Sequence, residues 1–261
     1  MILNRMGSKT RISKEIIKQF PSHSIYIEPF FGAGGMFFNK PKVKYNIVND
    51  LDSDVFNLFN VVSNDTEKLK EEYFKMPVHS DLFNYWKENK ETEPIKKALR
   101  FLMLSNFTFN GAGASLVFGA SSSRATSYKN DFYLKLDACN KLIYDVQFMN
   151  ADFKLFFKSI MLDDRSNERN KTFIYCDPPY LGTGDNYENS FNEEDSVDLF
   201  KCLIDSKCSF AMSEFNHPFI LEQAKTQGLN IIIIGERKNL KNTRTEILIT
   251  NYENRQQSLF A

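Results

Sequence analysis

Seven short apolar or β-branched runs, most of them separated by helical periodicity, set the strongest limit on what this chain can fold into. The runs are 25–29, 45–49, 146–150, 172–176, 208–212, 230–235 and 246–251, and helical patterns cover 10–20, 53–63, 191–206 and 216–227. Strands spaced by helices demand right-handed crossovers and a mostly parallel sheet. The last two runs have no helical pattern between them. Polar, basic residues 236–245 join them, which predicts an antiparallel pair at the end. The expected fold is α/β, a seven-stranded, mostly parallel Rossmann-like sheet with a final antiparallel strand pair.

The stretch 64–145 breaks the alternation. It starts charged and helical over 64–97, turns apolar over 98–107, and then carries Gly- and Ser-rich residues around Asn110-Gly111-Ala112-Gly113-Ala114-Ser115 and Ser121-Ser122-Ser123-Arg124. A structureless loop of that length does not sit inside a compact core. The pattern therefore divides the chain into a core, 1–63 and 146–261, and a helical insert, 64–145, bearing a hairpin or flexible arm.

At 261 residues the chain can bury a core without metals or disulfides. It has no apolar run of 18 residues, so no transmembrane helix is expected. Residues 1–20 are basic and lack an apolar signal-peptide core, which points to a cytoplasmic location. Cys139, Cys176, Cys202 and Cys208 form no C-x-x-C pair, and His23, His79 and His217 share no metal spacing. Reduced thiols and no metal site are the expectation. Net charge is zero, but it is unevenly placed. Residues 237–244 hold Arg237, Lys238, Lys241 and Arg244 with no acid, whereas 185–198 hold six acids and no base. A neutral total of this kind is compatible with a basic nucleic-acid groove.

The most specific chemistry lies where the apolar run 173–176 enters Asp177-Pro178-Pro179-Tyr180. Ligands of open α/β sheets bind beyond the carboxyl ends of the strands, where this tetrapeptide falls. The Asp177 carboxylate and the Pro178 carbonyl are two acceptors. Pro178 and Pro179 stiffen the turn and remove competing donors. Tyr180 offers a stacking face. Two acceptors suit the exocyclic amine of adenine, whose lone pair is delocalised into the ring and must be drawn toward tetrahedral geometry.

Three weaker signals accompany it. Phe30-Phe31-Gly32-Ala33-Gly34 follows the first strand, and Asp50 ends the second, placed for ribose hydroxyls. Phe37 occupies the third glycine position of a dinucleotide fingerprint, which argues against a nicotinamide oxidoreductase. Asp152-Phe153 opens a helix expected over 152–158; Asp152 reads both as its N-cap and as an acceptor for a cofactor's adenine amine, with Phe153 against the ring. Met6-Gly7-Ser8-Lys9 can bring a lysine to a carboxylate but is not a nucleotide-binding P-loop.

In this order these pieces, together with Glu28-Pro29, Asn49-Asp50, Asn106, Phe109-Asn110-Gly111 and Thr245-Glu246-Ile247-Leu248-Ile249-Thr250-Asn251, resemble the Dam-like class of adenine-specific DNA methyltransferases. The resemblance covers most of the chain. It implies a methyltransferase core, a target-recognition insert, double-stranded DNA as partner and transfer of a methyl group from S-adenosylmethionine to adenine N6 on a flipped base. A cognate restriction endonuclease is a second partner if the enzyme belongs to a restriction–modification pair. The cofactor residues it implies are Arg5, Lys9, Phe30, Gly32, Gly34, Asp50, Asp152, Phe153 and Asp177. The catalytic ones are Asp177, Pro178, Pro179 and Tyr180. Arg5 stands where relatives often carry an aromatic residue. Ala112-Gly113-Ala114-Ser115 stands in place of an arginine-containing hairpin, which leaves the target sequence, GATC or another, open and makes Arg124 a candidate base reader. The same acceptors suit other exocyclic amines, in RNA adenine or at cytosine N4, and an idle DNA-binding relative is a third reading. The intact tetrapeptide argues against the last.

Overall fold

The computed structural model describes residues 2–3, 9–108, 113, 115–116, 123–182, 191–238 and 243–253. The strands are β1 (Ile25–Glu28), β2 (Tyr45–Asn49), β3 (Gln147–Met149), β4 (Thr172–Cys176), β5 (Ser209–Phe215), β6 (Asn230–Lys238) and β7 (Thr243–Thr250). They form one seven-stranded sheet of order β3-β2-β1-β4-β5-β7-β6. β1 pairs in parallel with β2 and β4, and β4 with β5. β7 lies antiparallel between β5 and β6. This is the α/β sheet the sequence pattern predicts. Every residue of β1 and β4 is buried, as parallel strands covered on both faces require.

The chain packs as two compact units: Met1–Thr10, Gly32–Lys42 and Asp50–Asn150 in one, and Arg11–Phe31, Val43–Asn49 and Ala151–Ala261 in the other. The first holds α2 (Ser53–Asn64), α3 (Thr66–Lys75), α4 (Ser80–Glu88), α5 (Pro94–Asn106) and α6 (Ser123–Ile143). α2 begins where the Asp52 carboxylate accepts from the Asp54 amide at 2.9 Å, and it buries Val55, Leu58, Phe59 and Val62 along one stripe. α5 starts on Pro94, with the Glu93 carboxylate accepting from the amides of Ile95 and Lys96. Arg100 of α5 is buried and ties α4 down by donating to the carbonyls of Trp86 and Asn89.

The second unit holds α1 (Ser13–Ile17), α7 (Phe153–Ser159), α8 (Glu168–Lys171), α9 (Glu193–Asp205) and α10 (Pro218–Thr226). The expected helix 10–20 is therefore only α1, preceded by a tight 3-10 turn over Lys9–Arg11. β6 and β7 run further toward each other than the apolar pattern shows. The expected basic turn 236–245 is largely paired strand, with Arg237 opposite Arg244, and its tip 239–242 lies outside the described residues. Pairing across a hairpin continues through polar residues once the register is set. Arg124, expected in a Ser-rich loop, falls in the first turn of α6. The Gly/Ser-rich arm lies mostly outside the described residues; Thr108 and Leu116 form an antiparallel bridge at its base. No helix among the described residues is long and apolar enough to cross a membrane.

All four cysteines are free thiols. Burial pushes the Cys139 thiol up to about 12. Burial, then the carboxylates of Glu28 and Asp177, pushes Cys176 well above its ordinary range. A thiol whose pKa is raised by folding stabilises the fold while it stays protonated. That contribution is whole below the ordinary value of 9.0 and is lost as pH climbs toward 12. Native Cys139 and Cys176 are expected to react with a disulfide reagent at pH 8 at least ~100-fold more slowly than in urea. The urea midpoint is expected to fall once the pH passes that ordinary value. Fast modification of both thiols in the folded protein would contradict this packing.

Candidate active site

The Asp177-Pro178-Pro179-Tyr180 segment leaves β4 at Cys176. Asp177 is half-buried, Pro178 and Tyr180 are buried, and Pro179 is partly exposed. Carboxylates surround this segment. Glu28 at the end of β1, Glu214 near the end of β5 and Glu246 in β7 are each about 2 % exposed or less. Tyr26 donates to Glu28 at 2.8 Å, and the Leu181 amide donates to Glu214 at 2.9 Å. The Tyr180 hydroxyl donates to Glu246. Burial, reinforced by the charges of Asp177 and Glu246, holds the Tyr180 phenol well above its ordinary pKa. Tyr175 is raised in the same way, by burial first and Asp177 next. Both phenols therefore stay neutral and do not act as bases; Tyr180 donates to Glu246, and Tyr175 shares a hydrogen bond with the Ser213 hydroxyl at 2.8 Å.

Three aromatic rings gather from just after β1, the start of α7 and just before α9. The rings of Phe30 and Phe153 are 5.7 Å apart, and Phe191 lies 6.1 Å from the first and 6.0 Å from the second. Asp152 caps α7 by accepting from the Lys154 amide at 2.9 Å, so its N-cap reading holds. It is exposed, which leaves its second oxygen reachable by a ligand.

Asn49, the last residue of β2, holds these segments in place. Its amide nitrogen donates to the carbonyls of Pro29 (3.0 Å) and Ala151 (2.9 Å), and its side-chain oxygen accepts from the Ala151 amide (3.0 Å). One buried side chain thus fixes the backbone just before both Phe30 and Asp152-Phe153. Asn49→Leu would strand three buried backbone groups and is expected to cost about 3 kcal/mol of unfolding free energy, measured in urea. Asn49→Asp is expected to do no better, since two of the three bonds need an N–H. A loss indistinguishable from zero would remove Asn49 from this role.

In the other unit, Gly32 and Gly34 adopt φ +53° and +70°, the left-handed region that side chains avoid. A Cβ at Gly32 would meet nothing within 4 Å, so the backbone is open to a close ligand. The Gly32 amide donates to Asp50 Oδ2 at 2.6 Å and the Asp52 amide to Oδ1 at 2.9 Å. These bonds aim the Asp50 carboxylate. Lys9 is buried at 3 % exposure in its 3-10 turn. Phe37, also buried, opens a 3-10 turn where a dinucleotide-binding loop would have glycine. Arg5, the Met6-Gly7-Ser8 turn and residues 183–190 lie outside the described residues. Sequence reasoning gives no site roles to Glu28, Asn49, Phe191, Glu214 or Glu246. A cleft of ≈ 480 Å³ lined by Lys154, Asp198, Lys201 and Cys202, among others, contains none of the predicted site residues.

The chain matches known proteins over most of its length. The family model for D12 class N6 adenine-specific DNA methyltransferases matches residues 6–256. The DNA adenine methylase of Haemophilus influenzae is 31 % identical over 185 residues, which is 67 % of this chain and 61 % of that enzyme. The DNA adenine methylase of Escherichia coli K12 is 24 % identical over 249 residues, 90 % of this chain and 86 % of that enzyme. The Type II methyltransferase M.MjaIII of Methanocaldococcus jannaschii is 25 % identical over 232 residues, 75 % of this chain and 76 % of that enzyme. With a family match over nearly its whole length, the chain belongs to the D12 class of N6 adenine-specific DNA methyltransferases.

Proposed function

We propose that the chain methylates the exocyclic amine of adenine in double-stranded DNA, with Asp177 and the Pro178 carbonyl as the groups that activate the amine. The observation that carries this reading is the half-buried Asp177 at the end of β4, stiffened by Pro178-Pro179 and flanked by neutral tyrosines. The amine's two hydrogens then have two acceptors and its lone pair is freed from the ring. Neither Tyr175 nor Tyr180 competes as a base. The target must leave the base stack for its amine to reach this geometry. Tyr180 is assigned the ring on which it rests.

S-adenosylmethionine, when bound, supplies a methyl group already activated on a sulfonium. The residues present fit it. Phe30, Phe153 and Asp152 are assigned to its adenine. Asp50 is assigned to the ribose, with Gly32 and Gly34 allowing close backbone approach. Lys9 suits its carboxylate, and Arg5 is carried with this set by the sequence. The same reading assigns 64–145 to target recognition and residues 1–63 and 146–261 to the catalytic core, and it places the enzyme in the cytoplasm. A cognate restriction endonuclease is a proposed second partner, supported by the likeness to a Type II methyltransferase.

Calorimetry with S-adenosylmethionine in the presence of a chelator tests the cofactor assignment. Binding is expected without metal. It should weaken on Asp50→Ala and on Phe153→Ala. Unchanged affinity in both variants would overturn the assignment.

A further inference from the structure

We propose that Glu246 is a positioning residue that sets the ring of Tyr180 for the target base. This rests on the reading that Tyr180 meets that base. Glu246 is 2 % exposed and accepts from the hydroxyl of Tyr180, 66 residues away in sequence. Its register partner across the antiparallel β5–β7 ladder is Phe215. The Phe215 ring meets the Tyr180 ring edge-on, with centroids 4.6 Å apart and planes at 82°. A single rung therefore holds Tyr180 at two points, one polar and one aromatic. The neighbouring rung adds a third hold on the segment, because Glu214 accepts from the Leu181 amide at 2.9 Å. On the other side, the Arg244 guanidinium lies 5.2 Å from the Phe215 ring.

The consequence is geometric. The polar end of Tyr180 is committed to Glu246, and burial with the nearby carboxylates keeps its phenol protonated to donate there. The ring plane is then fixed relative to Asp177 and Pro178, three residues or fewer before it in the same stiff turn. A base laid on a misoriented ring would present its amine off-line to both acceptors. Misplacement of about 1 Å costs up to ~100-fold in rate.

The test uses the full-length protein, labelled S-adenosylmethionine and a saturating pool of random-sequence double-stranded DNA, read as single-turnover rates. Glu246→Ala and Tyr180→Phe are each expected to slow methyl transfer ~10- to 100-fold, with cofactor affinity unchanged. Glu246→Gln keeps an acceptor oxygen and is expected to recover the rate to within ~3-fold of wild type. The double variant Glu246→Ala/Tyr180→Phe should be no slower than either single one, because both remove the same tether. If Glu246→Ala fails to fold, Tyr180→Phe and Glu246→Gln carry the comparison. Wild-type rates in Tyr180→Phe, or effects that multiply in the double variant, would overturn the proposal. Tyr180→Ala separates the two levels. If it keeps the wild-type rate, the base-stacking reading itself falls. If it is slow while Tyr180→Phe is not, only the tether falls.

Discussion

Asp177→Ala is expected to cut methyl transfer by ~1000-fold or more, at the strong end of what removing one catalytic group costs. Asp177 is half-buried at the strand end, and Glu246 on Tyr180 and Glu214 on Leu181 hold the segment in the variant as well. The variant should therefore melt near the wild-type temperature and bind S-adenosylmethionine and DNA. Asp177→Asn keeps one acceptor oxygen and should retain more activity than the alanine variant. Turnover near wild type in Asp177→Ala would place the activating group elsewhere.

The second large effect concerns DNA affinity. Arg237 and Lys238 end β6, and Lys241 follows in the sequence before β7, with no acid among 237–244. Arg244, the fourth base of this stretch, has its guanidinium over the Phe215 ring and so belongs to the surroundings of Tyr180. Changing Arg237, Lys238 and Lys241 together to alanine is expected to weaken binding to every sequence by ~100-fold at moderate salt. It should also flatten the log–log salt dependence by ~2.7, about 0.9 for each phosphate no longer neutralised. The sequence preference of the residual methylation should not move, because phosphate contacts position and base contacts specify. Titration of a random duplex at several salt concentrations measures both. An unchanged slope would take the hairpin out of the DNA interface.

What the chain reveals before it folds divides along physical lines. The strands are legible because a buried parallel sheet needs unbroken apolar runs, and β1 and β4 are buried throughout. Asp177-Pro178-Pro179-Tyr180 is legible because its stiffness and its acceptors lie in four consecutive residues. The N-cap of α7 is legible for the same local reason. The supports of the site are not. Glu246 reaches Tyr180 across 66 residues, Glu214 reaches Leu181 across 33, and Asn49 reaches Ala151 across 102. Those bonds depend on which strands become neighbours and in what register, and no local pattern encodes that. The basic hairpin departs from its expected form for a related reason: polar residues extend a strand once its partner is fixed, so β6 runs to Lys238, not 235. Nor does anything local in Phe191 distinguish it from the chain's other phenylalanines before Phe30 and Phe153 are seen beside it.

The central claim is the identity of the methylated atom. Incubating the protein with methyl-labelled S-adenosylmethionine and a mixture of double-stranded DNA and RNA, then digesting to nucleosides, answers it directly. The account predicts label in N6-methyldeoxyadenosine. Label in N4-methyldeoxycytidine or in an RNA nucleoside, or no transfer by a folded protein that binds DNA, would contradict it.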